Sequence, residues 1–414
     1  MTASTRPLAY RLAIVTSHPV QYQAPLFRLL AAHGDIDLTV YYGHDESVAG
    51  DLDPDFGVRF AWDRPLLDGY RSVFLRRSAQ ALGAIRRLLA DARIVGRLRR
   101  ERFDAVFIHS YARRLSLLAY LGALASRTPV LLRTESERLR PRRPWVEVLK
   151  YVFLKPLFGV TSGFLVIGEA NRQFFEHYGV QPSRQFFTPY SVDNDYFADR
   201  RTLLQSSRDT IRRTHGWTDD VVVVGFCGKL IPLKRVEDLI DTVAVLQREG
   251  LRVGVFIVGD GPSRADLEER ARTCRLKWTV FAGFKNQSEL GACYVCMDAF
   301  VLPSRSETWG LVLNEAMLFG LPVVATSLVG ATMDLIEPGK NGYVFEVADV
   351  RGLTDALRRL VQSSDLRRQF GGRSAAIVRR YSYDQCVRGI LDGLQHVTAR
   401  SRRRSCAASG SPEL

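Results

Sequence analysis

Short apolar runs alternate with stretches of helical periodicity along the chain. Residues 11–17 (RLAIVTS), 37–42, 104–109, 130–133 and 163–167 are apolar segments bounded by polar or turn residues, and they read as strands buried on both faces. Between the first two, a helix runs through Pro25, Phe27, Leu29 and Leu30. This β-α-β opening predicts a parallel sheet. Residues 45–70 are acidic, contain Pro and Gly, and read as an inserted loop. Helical spacing returns over 78–102, where Leu82, Ile85, Leu88, Leu89, Ile94, Val95 and Leu98 stand among seven arginines.

A second series starts at residues 221–228 (VVVVGFCG), a strand of β-branched residues. A helix over 236–248, strands at 252–258, 279–282 and 299–302, and a helix from about Thr308 to Phe319 follow, the last one stopped by Gly320 and Pro322. Residues 350–379 are helical and 383–397 form a final helix. The expected division is an N-terminal domain over 1–190, a polar linker with a short helix over 191–220, a second domain over 221–382, a closing helix over 383–398 and a disordered basic tail over 399–414.

Composition sharpens this picture in three places. At 414 residues and 46% hydrophobic content, two cores are affordable. The N-terminal apolar run is too short for a signal peptide and nothing is long enough to span a bilayer, so a cytoplasmic location is expected. The net charge of +14 arises between residues 59 and 155, where 22 Lys and Arg face 8 Asp and Glu. For the basic helix, a solvated face and docking to anionic lipid both stay open. Residues 138–158 interleave arginines with Trp145, Tyr151, Phe153 and Phe158. A helix packed on the N-terminal sheet is the first reading, and an amphipathic segment on a bilayer the second. Nucleic-acid binding is set aside, because no nucleic-acid fold signature accompanies the arginines. Of six cysteines, Cys293 and Cys296 form a lone CxxC, which without a second pair reads as buried, inert thiols.

The candidate chemistry centres on residues 300–342. Glu307 sits where a strand-to-helix turn leaves backbone N–H groups unpaired, and Glu315 lies about two turns on, roughly 12 Å along a helix rising ~1.5 Å per residue. That separation suits the two ends of one nucleotide sugar. One carboxylate would meet sugar hydroxyls, the other a ribose diol, and the N–H groups of Gly310 and Leu311 would hold phosphate oxygens between them. Lys229 and Lys234, on the loop that follows Gly228, can balance a diphosphate without a metal. His109 and the segment Arg133 to Glu135 stand at the C-terminal ends of two strands, the edge where open α/β sheets place ligands.

The series strand, Pro303-Ser304, Glu307-x7-Glu315, A-M-x-x-G-x-P-V-V-A-T over 316–326 and P-G-x-N-G over 338–342 resembles the donor-binding domain of family 4 glycosyltransferases, which are retaining enzymes with the GT-B fold. The resemblance implies an α/β fold of two Rossmann-like parallel-sheet domains facing across a cleft, with the C-terminal helix crossing back to the N-terminal domain. It implies that Lys229 stands in the place of a usual Arg and Lys234 in that of the Lys, that the G-D-G-P turn with Gly261 borders the nucleotide, and that Phe284 and Lys285 lie near the base. His109 would stand near the anomeric centre. In place of the family's glycine-rich first loop the chain has HPVQYQAP, so His18 and Gln21 join Arg133 and Glu135 as acceptor candidates. No cofactor and no metal are expected: the Asp-x-Asp pairs at 35/37, 51/53/55 and 193/195 read as turns.

The expected function is transfer of a sugar, with retention, from a nucleoside diphosphate sugar to a hydroxyl of a lipid-linked, anionic or polysaccharide-pathway acceptor. The protein would be cytoplasmic, peripheral at the inner face of the membrane where the basic half touches anionic lipid. The alternatives are a sugar-phosphate synthase of the same fold with a soluble acceptor, and a non-catalytic sugar-nucleotide-binding module.

Overall fold

Tyr10–Thr16 (β1) is followed by the helix Ala24–Ala32 and by Ile36–Tyr42 (β2), which pairs with β1 in parallel from Tyr10↔Ile36 to Thr16↔Tyr42. The computed structural model describes residues 10–45, 48, 52–53, 58–59, 63–77, 83–140 and 143–409, with backbone alone for 52–53, 58–59 and 400–409. The strands are Leu52–Asp53 (β3), Val58–Arg59 (β4), Arg71–Phe74 (β5), Ala105–His109 (β6), Val130–Arg133 (β7), Gly163–Val166 (β8), Gln185–Phe187 (β9), Val222–Cys227 (β10), Val253–Val258 (β11), Thr279–Gly283 (β12), Ala299–Leu302 (β13), Val323–Thr326 (β14) and Gly342–Phe345 (β15). They build a seven-stranded sheet of order β5-β2-β1-β6-β7-β8-β9, a six-stranded sheet of order β12-β11-β10-β13-β14-β15, and the antiparallel ribbon β3-β4. Both larger sheets are wholly parallel.

The chain divides into two compact units. The first comprises Met1–Asp51, Arg64–Pro189 and Tyr383–Leu414; the second comprises Leu52–Asp63 and Tyr190–Ser382. In the first unit the two-residue period of β1 feeds two cores. Leu12 and Ile14 pack with Phe27, Leu30, Ile390 and Leu394, whereas Ala13 and Val15 pack with Ile94, Leu98 and Ala119. The closing helix Tyr383–Ser409 belongs to this unit, and the Tyr383 hydroxyl donates to the Tyr22 carbonyl at 3.1 Å.

Four expectations change. Residues 191–220 are not a linker: the helices Asn194–Leu204 and Arg208–Thr214 belong to the second unit. Arg212 is 1% exposed there and donates to Asp298 at 3.0 Å and to the Cys296 carbonyl at 2.9 Å. A buried guanidinium whose two NH groups are held by one carboxylate and several carbonyls makes a polar segment part of a core. The expected inserted loop is split between the units, and Ser288 N–H donates to the Asp63 carboxylate at 2.9 Å; residues 46–47, 49–51, 54–57 and 60–62 of it lie outside the described residues. Residues 350–379 are two helices, Val350–Gln362 and Ser364–Val378, parted at Ser363, whose side chain caps the second by accepting from Leu366 N–H. The last helix continues to Ser409 in place of a disordered tail, and residues 410–414 lie outside the described residues.

Candidate active site

The topology of the second unit opens a crevice at one place. β10 has β11 on one side and β13 on the other, so the connections leaving β10 and β13 run in opposite directions along the sheet. In a parallel sheet with right-handed crossovers, such neighbours send their helices to opposite faces, and ligands bind at the carboxyl ends of the strands between them. Gly228 and Lys229 follow β10, Gly261 follows β11, Phe284 and Lys285 follow β12, and Glu307, Gly310 and Leu311 follow β13. Eight residues scattered over 84 positions of sequence thus meet one edge of one sheet.

At its centre the Lys234 ammonium is paired with the Glu307 carboxylate, at side-chain exposures of 16% and 21%. Both partners are held from behind. Lys234 ends the 3-10 turn Pro232–Lys234, and Arg305 N–H donates to the Leu233 carbonyl at 2.9 Å, tying that turn to the loop after β13. Glu307 uses its backbone in a parallel bridge: its N–H donates to the Leu328 carbonyl at 3.3 Å and its carbonyl accepts from Gly330 N–H at 3.0 Å. The side chain is therefore left to face the lysine. The helix begins later than expected, at Leu311, and Gly310 precedes it with φ +98°. A Cβ there would stand 2.9 Å from Leu302 Cδ2, so glycine is required both by conformation and by space. The first N–H groups of Leu311–Leu318 have no intrahelical acceptor and carry the positive end of the helix dipole beside this ion pair.

Gly261 marks a close approach of two loops. Its φ is +153°, and an added Cβ would lie 2.6 Å from the Leu230 carbonyl oxygen and 2.9 Å from the Leu230 nitrogen. Leu230 N–H donates to the Asp260 carbonyl at 2.8 Å and its carbonyl accepts from Ser263 N–H at 2.9 Å, so the backbone neighbour cannot retreat without losing both bonds. Gly261→Ala is expected to destabilise the protein by roughly 2–4 kcal/mol. Urea denaturation checks this, and a parental midpoint would show the loops to be looser than drawn.

Glu315 takes a different position from the one its spacing predicts. It is fully buried and accepts from the Tyr294 hydroxyl at 2.6 Å. Burial, Cys227 and Glu315 together push the Tyr294 hydroxyl far above its usual range, so it remains a proton donor to this carboxylate. Cys227, the last residue of β10, is likewise pushed up by burial and by Glu315. Glu315 thus lies beneath the β10 edge, inside the unit. The two carboxylates of the motif are not alike: one is at the surface of the crevice and one is under it.

The remaining donor-side residues are partly engaged. Lys285 pairs with Glu289 at 3.0 Å, and Asn286 caps the helix Gln287–Val295 with Glu289 completing the reciprocal box. Cys293 and Cys296 are buried free thiols; burial pushes them up to about 12 and about 11. Tyr294, Arg305 and Asn314 are the residues that sequence reasoning missed. Asn314 is fully buried, accepts from Trp309 Nε1 at 2.9 Å and donates to the Tyr190 carbonyl at 3.2 Å. The only local signal was Asn314 itself, a polar residue in an apolar helix.

The other candidates lie in the first unit. His109 ends β6 with its ring stacked on Phe107 at 4.6 Å and edge-on to Phe27 at 6.4 Å. Its Nε2 is closed off from solvent without a hydrogen-bond partner. Burial, then the nearby Arg133 charge, lowers its pKa well below the ordinary value, so the imidazole is neutral. Arg133, beside it in the register, is 3% exposed and donates to the Thr188 and Pro189 carbonyls, each at 3.1 Å. As placed, it is a strut for that segment, with its guanidinium turned inward. Glu135 is exposed. His18 stacks on His44 at 5.4 Å with Nδ1 2.9 Å from the Ser17 hydroxyl, and the Gln21 amide oxygen is enclosed without a hydrogen-bond partner.

Residues 207–376 match the family described as glycosyl transferases group 1. The chain is 26% identical over 219 residues to an N-acetyl-alpha-D-glucosaminyl L-malate synthase of Bacillus anthracis, covering 52% of this chain and 55% of that protein. It is 34% identical over 186 residues to a GDP-mannose-dependent alpha-mannosyltransferase of Mycobacterium tuberculosis, covering 44% and 46%. The chain thus spans about half the length of the curated relatives it matches. Among solved structures, Anabaena Alr3699/HepE in complex with UDP and glucose superposes with a TM-score of 0.67 at 17% identity, over 93% of this chain and 99% of that one. The fold is therefore GT-B, and the match to the group 1 glycosyl transferase family lies within the second unit.

Proposed function

We propose that the protein is a glycosyltransferase that moves a sugar, with retention, from a nucleoside diphosphate sugar to a hydroxyl acceptor. The observation that carries this reading is the Lys234–Glu307 pair at the carboxyl ends of β10 and β13, beside the open N-terminus of Leu311–Leu318. An anionic diphosphate needs positive charge where water is scarce, and Lys229, Lys234 and the helix N-terminus supply it with no metal required. Glu307, released from part of its bond to Lys234 when phosphate arrives, orients the sugar hydroxyls.

In the reaction the anomeric carbon–oxygen bond to phosphate breaks as the acceptor oxygen bonds to that carbon from the same face. The electron pair stays on the diphosphate, whose charge the lysines stabilise as it develops. The departing phosphate oxygen takes the acceptor's proton. The neutral His109 and the polar groups of His18, Gln21 and Glu135 are the acceptor-side candidates, and the basic balance of residues 59–155 favours an anionic or lipid-linked acceptor.

Thermal denaturation against UDP-, GDP- and ADP-sugars tests the reading. The true donor at 100 times its dissociation constant adds about 2.7 kcal/mol of stability. The expected result is one nucleotide class with a clear upward shift and slow hydrolysis of that donor. A shift without hydrolysis or transfer would leave a binding module without catalysis, and no shift with any of them would remove the donor site itself.

A further inference from the structure

The helix Pro144–Val160 has two apolar faces. Leu154 and Phe158, one turn apart, are buried against Phe164, Phe174 and Phe175. On the opposite side Trp145, Val148, Leu149 and Val152 follow the i, i+3, i+4, i+7 spacing and are 59%, 62%, 60% and 67% exposed. A helix that only needed to cover its sheet would put polar residues there.

Its neighbours continue the pattern. The crossovers β5 to β6, β6 to β7 and β7 to β8 all step the same way along the sheet, so their right-handed helices share one layer. The middle one, Arg114–Ala125, leaves Leu117, Leu121 and Leu124 exposed at i, i+4, i+7, and the helix Ala84–Glu101 leaves Ile85 and Leu89 exposed. Three adjacent helices of one layer thus present apolar residues outward, more than scattered surface leucines would account for.

Charge identifies the occupant. Arg86, Arg93, Arg99 and Arg100 are exposed on the first of these helices and Arg113 and Arg127 flank the second. Of the acids on these three helices, the two on Ala84–Glu101 are engaged by neighbours, which leaves Glu147 as the other. Asp91 is 2% exposed between Arg76 at 3.0 Å and Arg114 at 2.7 Å, and Glu101 accepts from the Tyr41 hydroxyl at 2.6 Å. An apolar surface rimmed by cations, with Trp145 and Tyr151 at its margin, matches the interface of an anionic bilayer, where aromatic rings and snorkelling arginines sit at headgroup depth. Among the described residues no helix is long and apolar enough to cross a membrane, so the contact is peripheral.

We infer that the outer face of these three helices docks the protein on an anionic lipid surface. This deepens the reading above by naming where its acceptor is met, but it stands on the first unit alone and survives failure of the transferase assignment. The test is flotation of the full chain with vesicles of phosphatidylcholine, with and without about one-third phosphatidylglycerol. The parent is expected to float with the anionic vesicles and to release at about 0.5 M salt. V148E/L149E/V152E is expected to lower partitioning about tenfold or more, with unchanged circular dichroism and donor-induced thermal shift. Arg86→Ser with Arg93→Ser removes only rim charge and is expected to weaken binding to the anionic vesicles alone. No flotation of the parent, or equal flotation of all variants, overturns the inference. So does light scattering that finds a dimer in the parent and a monomer in the triple variant, since the face would then bind a second copy.

Discussion

Glu307→Gln is expected to lower kcat for sugar transfer by about 10²–10³-fold, with a melting temperature close to that of the parent. The amide keeps the shape of the side chain and the bridge that its backbone makes with Leu328 and Gly330, so the loop after β13 should hold. What disappears is the charge that Lys234 now faces. A carboxylate accepts strongly from sugar hydroxyls, more so in a site from which substrate excludes water. Because that interaction tightens as the anomeric carbon becomes cationic, the loss should fall on kcat more than on KM. Initial rates with the donor found in the thermal screen measure it. A variant retaining near-parental kcat would remove Glu307 from the sugar site altogether.

Lys234→Met comes next, with an expected loss in kcat/KM of about 10²-fold or more and a clear rise in the donor's dissociation constant. Methionine has nearly the same length, so the packing of the turn Pro232–Lys234 is little disturbed. The substitution leaves Glu307 without its cation at the place where a diphosphate must settle. Two groups of like charge then share a partly enclosed edge, which disfavours both. Lys234→Arg should recover part of the binding but little of the rate, because a planar fork cannot take the place of a compact ammonium. Calorimetric titration of each variant with the nucleoside diphosphate separates these effects. Parental affinity in Lys234→Met would mean that the phosphates are held elsewhere, with Lys229 and the N-terminus of Leu311–Leu318 as the next groups to test.

The two β-α-β series were legible because a parallel strand buried on both faces writes itself as an uninterrupted apolar run, as 222–227, 253–258 and 299–302 do. The helices at 194–204 and 208–214 were not. The first buries little beyond Phe197, and the second is held by Arg212, whose partners Asp298 and Cys296 lie more than 80 residues away. A helix anchored by a buried cation shows no apolar stripe, so periodicity reads it as linker.

The same division runs through the site. The local order of residues 300–342 set out the strand, the turn and the helix, since each depends on conformational preferences within a few positions, but it began the helix near Thr308, ahead of the glycine that holds it off until Leu311. It also offered two glutamates at helical spacing and gave both a place against the ligand, one on the sugar and one on the ribose. Only the packed sheet distinguishes them, by carrying Lys234 to Glu307 across the β10–β13 edge and closing Tyr294 over Glu315. Which carboxylate meets solvent is decided by strand order and by what lies beneath the strand ends. Those are relations between segments far apart in the chain, and no pattern along one segment encodes them.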